Sequence, residues 1–432
     1  MIMKMETMRT DGPSQGAQTP LGGSEVRAAT SVGAINTDGP SQGAKAPSPG
    51  ARSTRSDKRV ANNISTTVTT SLYWSTGIDK LKAYVPGEQP QTDGWVKLNT
   101  NECPYPPSLR ALQAIRAGVS EKLRLYPDPN GSALKAAIAS HFRLGADQVF
   151  LGNGSDEVLG HAFMGLLRHA LPILYPDISY SFYPVYCGLY GIASTQVPLT
   201  AGFEVDVADY KVPNGGIVLP NPNAPTGIAL PLSKLRELLE QNRDSVVIID
   251  EAYVDFGAQS AVTLIPEFDN LLVVQTLSKS RALAGLRVGF ALGHPALIEA
   301  LARVKDSFNS YPLDRLALAG AQVAIEDNIY FEKITHAVVN SRNWLTAALA
   351  QLGFDTLPSS ANFVFTQHPH YAAANLSLRL REKKILVRHF SQPRIANHLR
   401  ISIGTQQECE ALVTALRHIL PLEKALTVEA SV

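Results

Sequence analysis

The sequence of 432 residues contains little cysteine, and its three cysteines form no recognisable set. Cys103, Cys187 and Cys409 are odd in number and lie far apart along the chain. A disulfide framework or a cysteine zinc site needs closely patterned cysteines, so neither is predicted, and we expect no metal. Free thiols of this kind are typical of a reducing compartment, which favours the cytoplasm.

The chain also has little net charge and no long hydrophobic run. It carries 39 basic and 38 acidic residues, which gives a formal net charge of +1. Because there is no basic excess, we expect no nucleic-acid partner. The apolar stretches "SVVIID" and "LLVVQTL" have the length of buried strands. They are far shorter than the roughly 20 residues that cross a bilayer, so we expect no membrane partner.

The N-terminal part of the chain has almost no aromatic residues. Residues 1–75 are rich in Ser, Thr, Gly, Pro and Ala, and the octapeptide "TDGPSQGA" occurs at residues 10–17 and again at 37–44. Such a segment cannot bury enough apolar surface to offset the conformational entropy that folding costs. The sequence therefore predicts a disordered, low-complexity extension over residues 1–75.

Strand and helix patterns alternate from residue 76 onward. The stretches "DSVVIIDEAYVDF" and "NLLVVQTLSKS" contain strands that are apolar on both faces, and helical patterns lie between such strands. This alternation predicts an α/β fold, with a large, mostly parallel sheet flanked by helices over residues 108–305. The later stretches "ANFVF", "KILVRHF" and "HLRISIGT" predict a smaller α+β domain over residues 306–432, which the N-terminal segment 76–107 joins.

Three polar features follow predicted strands of the large domain, where ligands of parallel sheets usually bind. Lys279 follows "LLVV", and Asp250 ends "VVIID". The glycine turn of "LGNGSDE" leads into a helix whose N-terminus would present N–H groups at Ser155 and Asp156, an arrangement suited to a phosphate. Each feature also has a plainer reading: a solvated loop lysine, a turn-capping aspartate and a glycine turn without a ligand.

Together, in one pocket, these groups would supply what pyridoxal 5'-phosphate needs from a protein. The carboxylate keeps the ring nitrogen protonated, the amine forms an imine with the aldehyde, and the helix N-terminus binds the phosphate. The same amine can act as a general base toward the substrate. The alternative from another class is an interaction or regulatory protein that uses the repeat-bearing tail; intact Lys279, Asp250 and Arg287 argue against it.

Eleven stretches occur in an order known from one enzyme family: "LKAYVPG", "LNTNECPYPP", "YPDPNG", "GNGSDE", "SYSFYPVY", "NPNAPTG", "IDEAYVDF", "TLSKSRALAGLRVGF", "ANFVF", "ILVRHF" and "LRISIGT". On these motifs, residues 78–420 resemble the fold-type I, class I/II pyridoxal-phosphate-dependent aminotransferases, most closely the histidinol-phosphate aminotransferases. The resemblance implies transamination between histidinol phosphate and 2-oxoglutarate, in histidine biosynthesis. An aromatic amino-acid aminotransferase or a phosphothreonine decarboxylase on the same scaffold stays open.

The resemblance also implies roles for individual residues. Lys279 is implied as the Schiff-base lysine, Asp250 as the partner of the ring nitrogen and Tyr253 as a donor to the ring hydroxyl, while Tyr180 is implied to stack on the ring. Four residues are implied around the cofactor phosphate: Ser155, Asp156, Ser278 and Arg287. Three are implied around the substrate phosphate: Tyr84, Arg388 and Arg400.

Two positions depart from the family pattern, and a third position implies a partner subunit. The family's amide donor to the ring hydroxyl stands before "PTG", where this chain has Ala224, so the nearest side-chain amide is Asn223. Arg281 replaces an aromatic residue of many relatives, and we expect it to lie on a loop and alter only surface charge. Tyr126 of "LYPDPNG" is implied to reach the cofactor phosphate of a neighbouring subunit, which predicts a homodimer.

Overall fold

The structure is a computed structural model that describes residues 71–429, with side chains up to residue 421. Most of the predicted extension over residues 1–75 lies outside the described residues. Within them are ten α-helices: α1 (Leu109–Gly118), α2 (Ser132–Phe142), α3 (Gly154–Leu166), α4 (Tyr183–Tyr190), α5 (Leu232–Gln241), α6 (Pro295–Phe308), α7 (Arg315–Glu326), α8 (Asn328–Gln351), α9 (Ala373–Glu382) and α10 (Gln406–Glu429).

The described residues also form twelve strands: β1 (Val96–Leu98), β2 (Val149–Asn153), β3 (Ile173–Pro176), β4 (Ser194–Val197), β5 (Ile217–Pro220), β6 (Val247–Asp250), β7 (Leu271–Thr276), β8 (Val288–Gly293), β9 (Asp355–Thr356), β10 (Phe363–Gln367), β11 (Ile385–His389) and β12 (His398–Ser402). They make a seven-stranded sheet of order β2-β8-β7-β6-β5-β3-β4 and a five-stranded sheet of order β1-β11-β12-β10-β9. In the larger sheet only β8 runs antiparallel to its neighbours, β2 and β7. The predicted large, mostly parallel sheet is therefore present.

The strands of the larger sheet are buried on both faces. Every residue of β7 is buried, and its side chains alternate between two cores: Leu271 and Val273 pack into one, Leu272 and Val274 into the other. A strand directs successive side chains to opposite faces, so a continuous apolar run is what two covered faces require. Helices cover both faces, which explains why these strands contain few polar residues before their ends.

The smaller sheet is mostly antiparallel and has its own core. The strands β11 and β12 and the helices α8, α9 and α10 contribute buried side chains to this core. Strand β1 pairs in parallel with β11, with Val96 opposite Ile385, so the segment before α1 adds an edge strand. This mixture of strands and helices is the α+β pattern that the sequence predicts for the C-terminal part.

The parallel arrangement brings several strand ends to one edge of the larger sheet. Pro220 at the end of β5 lies opposite Asp250 at the end of β6, and Asp250 lies opposite Val274 of β7. The chain leaves β7 after Thr276 and reaches Lys279 three residues later. Polar residues that are remote in sequence therefore converge where the apolar strands stop.

Candidate active site

A cavity of about 400 Å³ lies between this sheet edge and the smaller sheet. Eleven of the thirteen predicted site residues line it: Tyr84, Ser155, Asp156, Tyr180, Asp250, Tyr253, Ser278, Lys279, Arg287, Arg388 and Arg400. The other two, Asn223 and Tyr126, do not. The structure thus brings together residues that span more than 300 positions of the chain.

Lys279 lies in the turn after β7 with its amine in the cavity. Its Nζ is 3.3 Å from the carbonyl oxygen of Thr100 and 5.8 Å from the ring centre of Tyr253. The turn is held by Thr276, whose hydroxyl donates to Ser278 Oγ at 2.9 Å and accepts from the Ser278 N–H at 3.2 Å. These bonds fix the direction in which the lysine leaves the strand.

Asp250 is a buried carboxylate at the end of β6, with 5% of its surface exposed. Its Oδ2 accepts from the Tyr183 hydroxyl at 2.9 Å, and its Oδ1 accepts from the Ala252 N–H at 3.3 Å. Burial raises the pKa of Asp250 to about 6, against the opposing effect of these two hydrogen bonds. Among the described residues no Lys, Arg or His lies within ion-pair distance of it. A cationic group beside this carboxylate would favour its charged form.

The N-terminus of α3 borders the cavity beside Arg287. Helix α3 begins at Gly154, whose φ of +81° suits glycine, and a Cβ at this position would lie 2.5 Å from Arg287 Nη2. Ser155 and Asp156 therefore occupy the first helical turn, where backbone N–H groups lack partners within the helix. Arg287 Nη2 lies 3.2 Å from Asp156 Oδ2. Free N–H groups and a guanidinium converge here, which suits an anion.

The ring of Tyr180 lies beside this helix end. Its hydroxyl donates to Asp156 Oδ1 at 2.8 Å, so the carboxylate holds both Tyr180 and Arg287. Burial and the nearby carboxylate raise the pKa of Tyr180 well above its usual value. The phenol therefore remains a hydrogen-bond donor at any physiological pH.

Two arginines of the smaller sheet complete the cavity on the opposite side. Arg388 of β11 and Arg400 of β12 lie directly opposite each other in the antiparallel pair, and the Phe390 ring centre is 5.8 Å and 5.7 Å from their Cζ atoms. Arg400 Nη2 donates to the Asn99 carbonyl at 3.0 Å, but its buried Nε has no partner among the described residues. Burial, together with the like charge of Arg388, lowers the pKa of Arg400.

Asn223, the side-chain amide expected near the ring hydroxyl, does not line this cavity. Its Nδ2 donates to the Ile178 carbonyl at 3.0 Å and to Thr226 Oγ1 at 3.1 Å, so the amide ties its turn to the segment that follows β3. Ala224, the next residue, lines the cavity instead. Both N–H groups of the Asn223 amide are thus engaged within the protein.

Known proteins of one enzyme family are similar to this chain over most of its length. The family described as "Aminotransferase class I and II" matches residues 93–416. The chain is 60% identical over 348 residues to histidinol-phosphate aminotransferase 1 of Methylococcus capsulatus, which covers 81% of this chain and 98% of that protein. It is 61% identical over 354 residues to the histidinol-phosphate aminotransferase of Aromatoleum aromaticum, which covers 81% and 99%. The chain belongs to the histidinol-phosphate aminotransferase family.

Solved structures confirm the fold of this aminotransferase. The histidinol-phosphate aminotransferase of Sinorhizobium meliloti in complex with pyridoxal-5'-phosphate has a TM-score of 0.73 at 23% identity, over 81% of this chain and 99% of that one. The histidinol-phosphate aminotransferase from Clostridium acetobutylicum has a TM-score of 0.69 at 22% identity, over 75% and 98%. The fold is thus fold-type I, as predicted. The enzyme is a pyridoxal-phosphate-dependent aminotransferase, so the non-enzymatic alternative is excluded.

The cavity residues of the aminotransferase fit this cofactor. Asp250 offers a buried carboxylate without an ion-pair partner among the described residues, and Lys279 offers an amine. The helix end at Gly154 leaves room only for hydrogen where Arg287 approaches. In the described part of the chain, no group of three or more His, Cys, Asp or Glu residues could hold a metal ion. No described helix is long and apolar enough to cross a membrane.

Arg281 is buried, so the prediction that it only changes surface charge is wrong. Only 7% of its surface is exposed, its Nη1 donates to the Ala324 carbonyl at 2.8 Å, and its Cζ lies 3.7 Å from the Phe331 ring centre. Burial lowers the pKa of Arg281 to about 10. The side chain therefore ties the lysine turn to the end of α7 and the start of α8.

Two tyrosines of α4 support the site, although the sequence analysis did not predict them as site residues. Tyr183 binds Asp250, and Tyr186 donates to the main-chain carbonyl of Asp156 at 2.7 Å. Their spacing of three residues after Tyr180 in "SYSFYPVY" is the signal that could have identified them, because such spacing aligns side chains on one face of a helix.

Proposed function

We propose that this enzyme transfers an amino group between histidinol phosphate and 2-oxoglutarate, giving imidazole acetol phosphate and glutamate, as a step of histidine biosynthesis. The observation that carries the proposal is the pair of opposed guanidinium groups, Arg388 and Arg400, at the cavity. A phosphorylated amine without an α-carboxylate needs such a pair, because a dianionic phosphate can accept from both groups. The 60% identity with histidinol-phosphate aminotransferase 1 of Methylococcus capsulatus supports the same substrate.

When bound, pyridoxal 5'-phosphate takes up the electrons released at the substrate's α-carbon. Asp250 holds a proton at the ring nitrogen through its charge, and Tyr183 orients that carboxylate. Tyr253 would donate to the ring hydroxyl, and Tyr180 would pack against the ring. The Lys279 amine would hold the cofactor and, once free, would take the proton from the substrate's α-carbon and return it.

Two kinds of donor would hold the phosphate group of the cofactor. The first-turn N–H groups of Ser155 and Asp156 and the Ser278 hydroxyl are neutral donors, and Arg287 supplies the charge. The Asp156 carboxylate itself would repel a phosphate. Its contribution is to hold the Tyr180 hydroxyl at 2.8 Å and the Arg287 guanidinium at 3.2 Å.

The substrate phosphate lies at the opposite end of the cavity. Arg388, Arg400 and Tyr84 surround it. Gly87 keeps the covering segment close, because a Cβ there would lie only 2.7 Å from Thr100 Cγ2. The α-carboxylate of glutamate carries a single charge and needs chiefly Arg400. One anion subsite thus accepts both substrates.

We also infer a homodimer in the cytoplasm, with the chain divided near residues 107 and 305. Tyr126 is 78% exposed and stacks on Tyr311 with ring centres 4.5 Å apart, so it is available to a second subunit. Size-exclusion chromatography with light scattering, run beside activity over a dilution series, tests this. Full activity in a monomer would contradict a shared site.

The test of the function is a coupled assay with matched amino donors. We expect turnover of histidinol phosphate with 2-oxoglutarate to exceed that of phenylalanine and tyrosine, and phosphothreonine to yield no amine product by decarboxylation. A preference for an aromatic amino acid, or carbon dioxide release from phosphothreonine, would assign the cavity to one of the two alternative activities.

A further inference from the structure

Asn101 is a buried residue of the cavity lining that has no role in the proposed reaction so far. It follows β1 in "LNTNE", is 1% exposed, and has a φ of +56°, a conformation that asparagine tolerates better than most residues. It lies in the same lining as Tyr253 and Lys279. A buried polar residue with a positive φ beside a cavity is typical of a functional site, so the hydrogen bonds of its side chain are informative.

Every polar atom of Asn101 has a partner. Its backbone N–H donates to Ser402 Oγ at 2.9 Å, the Ser402 hydroxyl donates back to Asn101 Oδ1 at 2.8 Å, and Asn362 Nδ2 donates to its carbonyl at 2.9 Å. The remaining group, Nδ2, donates to Tyr253 Oη at 3.1 Å. The Ser402 hydroxyl thus fixes which end of the amide faces the tyrosine.

The direction of this last bond decides where the Tyr253 proton points. A phenol that accepts an N–H from one side must donate its own proton elsewhere. Among the described residues no acceptor for that proton lies within hydrogen-bond distance, and Tyr253 borders the cavity. The Tyr253 hydroxyl therefore directs its proton into the cavity.

This control matters because a second donor is missing. Ala224 stands where the family pattern has an amide that would also donate to the ring hydroxyl. The nearby Asn223 amide is engaged with Ile178 and Thr226. Tyr253 is then the side-chain donor proposed for the ring hydroxyl, so this hydrogen bond depends on where the Tyr253 proton points.

We propose that Asn101 is a positioning residue that turns the Tyr253 hydroxyl proton toward the cofactor's ring oxygen. The proposal rests on the proposed role of Tyr253. It also links the two sheets, because Ser402, which fixes the amide, lies two residues from Arg400 on β12. The hydrogen bonds that run from Tyr253 through Asn101 therefore end at Ser402, on the strand that carries the substrate arginine.

The test is Asn101→Asp in the holoenzyme, read by the pH titration of the bound cofactor's visible absorbance. Aspartate has the same shape, tolerates the same φ and still accepts from Ser402, but it offers Tyr253 an acceptor in place of a donor. The Tyr253 proton then turns away from the cofactor. We expect the titration midpoint to rise by about 1 to 2 pH units, as for a lost hydrogen bond to a charged group.

The added negative charge also raises the midpoint, so the substitution is repeated in a Tyr253→Phe background. We expect Asn101→Asp to shift the midpoint by at least about 0.5 pH unit more with Tyr253 present than in the Tyr253→Phe background. Equal shifts in the two backgrounds would overturn the proposal. Asn99→Asp is the matched control, because Asn99 lines the same cavity but donates to the Glu88 carbonyl at 2.8 Å; its shift should be equal in both backgrounds.

Two further variants separate the possible failures. If Asn101→Asp does not fold, Asn101→Gly keeps the backbone conformation, removes the amide without adding charge, and should raise the midpoint by a smaller amount that disappears in the Tyr253→Phe background. Should Tyr253→Phe alone leave the midpoint unchanged, the proposed role of Tyr253 fails, and the role of Asn101 with it. A shift in Tyr253→Phe without a Tyr253-dependent shift in Asn101→Asp or Asn101→Gly refutes only the positioning role.

Discussion

The two ends of the cavity are stabilised in opposite ways. At the edge of the larger sheet the charged groups have protein partners: Asp250 accepts from Tyr183, and Asp156 binds both Tyr180 and Arg287. On the smaller sheet two arginines face each other across a strand pair. Like charges directly opposite in a sheet are destabilising, so this half retains an unfavourable arrangement.

The contrast indicates what each half is for. Groups that protein partners orient in advance suit a ligand that stays bound through the reaction, and the cofactor is such a ligand. Opposed guanidinium groups, with Arg400 Nε still lacking a partner among the described residues, suit an anion that enters and leaves. Substitutions in the first half should therefore affect all substrates alike, and those in the second half should discriminate between them.

The largest effect is expected from Lys279→Ala. Removal of the amine eliminates both the covalent link to the cofactor and the base at the α-carbon, so turnover should fall by at least about 10⁴-fold with either substrate. The cofactor should stay bound noncovalently, because the phosphate and ring contacts remain. Absorbance after dialysis measures retention, and a coupled assay measures turnover. Turnover near the parent rate would refute the assignment of Lys279.

Asp250→Ala should reduce both half-reactions by a similar factor of roughly 200 to 5000, the equivalent of about 3 to 5 kcal/mol for a buried ion pair that loses one member. Without the carboxylate the ring nitrogen loses its proton, and the ring becomes a poor acceptor of electrons. Exchange of the substrate's α-proton with deuterated water reports this step directly. Equal exchange rates in variant and parent would contradict the role.

The cofactor half was largely predictable from the sequence, and its supports were not. Lys279 and Asp250 each follow an apolar run long enough to identify a strand, and parallel strands end at one sheet edge. Tyr183 and Asn101 reach these residues only through tertiary contacts, which a linear pattern does not encode. Arg281 was misjudged for the same reason: only the packing of α7 and α8 over the turn reveals that a charged loop residue is buried.

In the substrate half, Arg388→Ala should discriminate between substrates. We expect kcat/KM for histidinol phosphate to fall roughly 10- to 150-fold, the equivalent of about 1.5 to 3 kcal/mol for charge-assisted hydrogen bonds, and glutamate to be affected much less. Stopped-flow measurement of each half-reaction separates the two. Arg236→Ala is a control, because it removes an exposed arginine that pairs with Glu267 far from the cavity lining. Equal losses for both substrates would mean that Arg388 is not specific for the phosphate.

The smallest expected effect concerns stability and tests the contrast without any chemistry. On the proposed assignment the cofactor of the holoenzyme occupies the site beside Arg287, so added inorganic phosphate should bind between Arg388 and Arg400. At ten times its Kd the anion would stabilise the fold by about 1.4 kcal/mol, a rise of about 2 °C in the melting temperature of a chain of this size.

In phosphate-free buffer the free energy of unfolding of Arg388→Ala should equal that of the parent or exceed it by about 0.2 to 1 kcal/mol, because a like-charge pair across the strands is removed. In that variant phosphate should stabilise much less, while sodium chloride at equal ionic strength should not reproduce the effect in the parent. Suppose instead that Arg388→Ala lost stability in phosphate-free buffer and kept the full response to phosphate. The opposed arginines would then have a structural role, and the proposed contrast between the cofactor half and the substrate half of the cavity would be wrong.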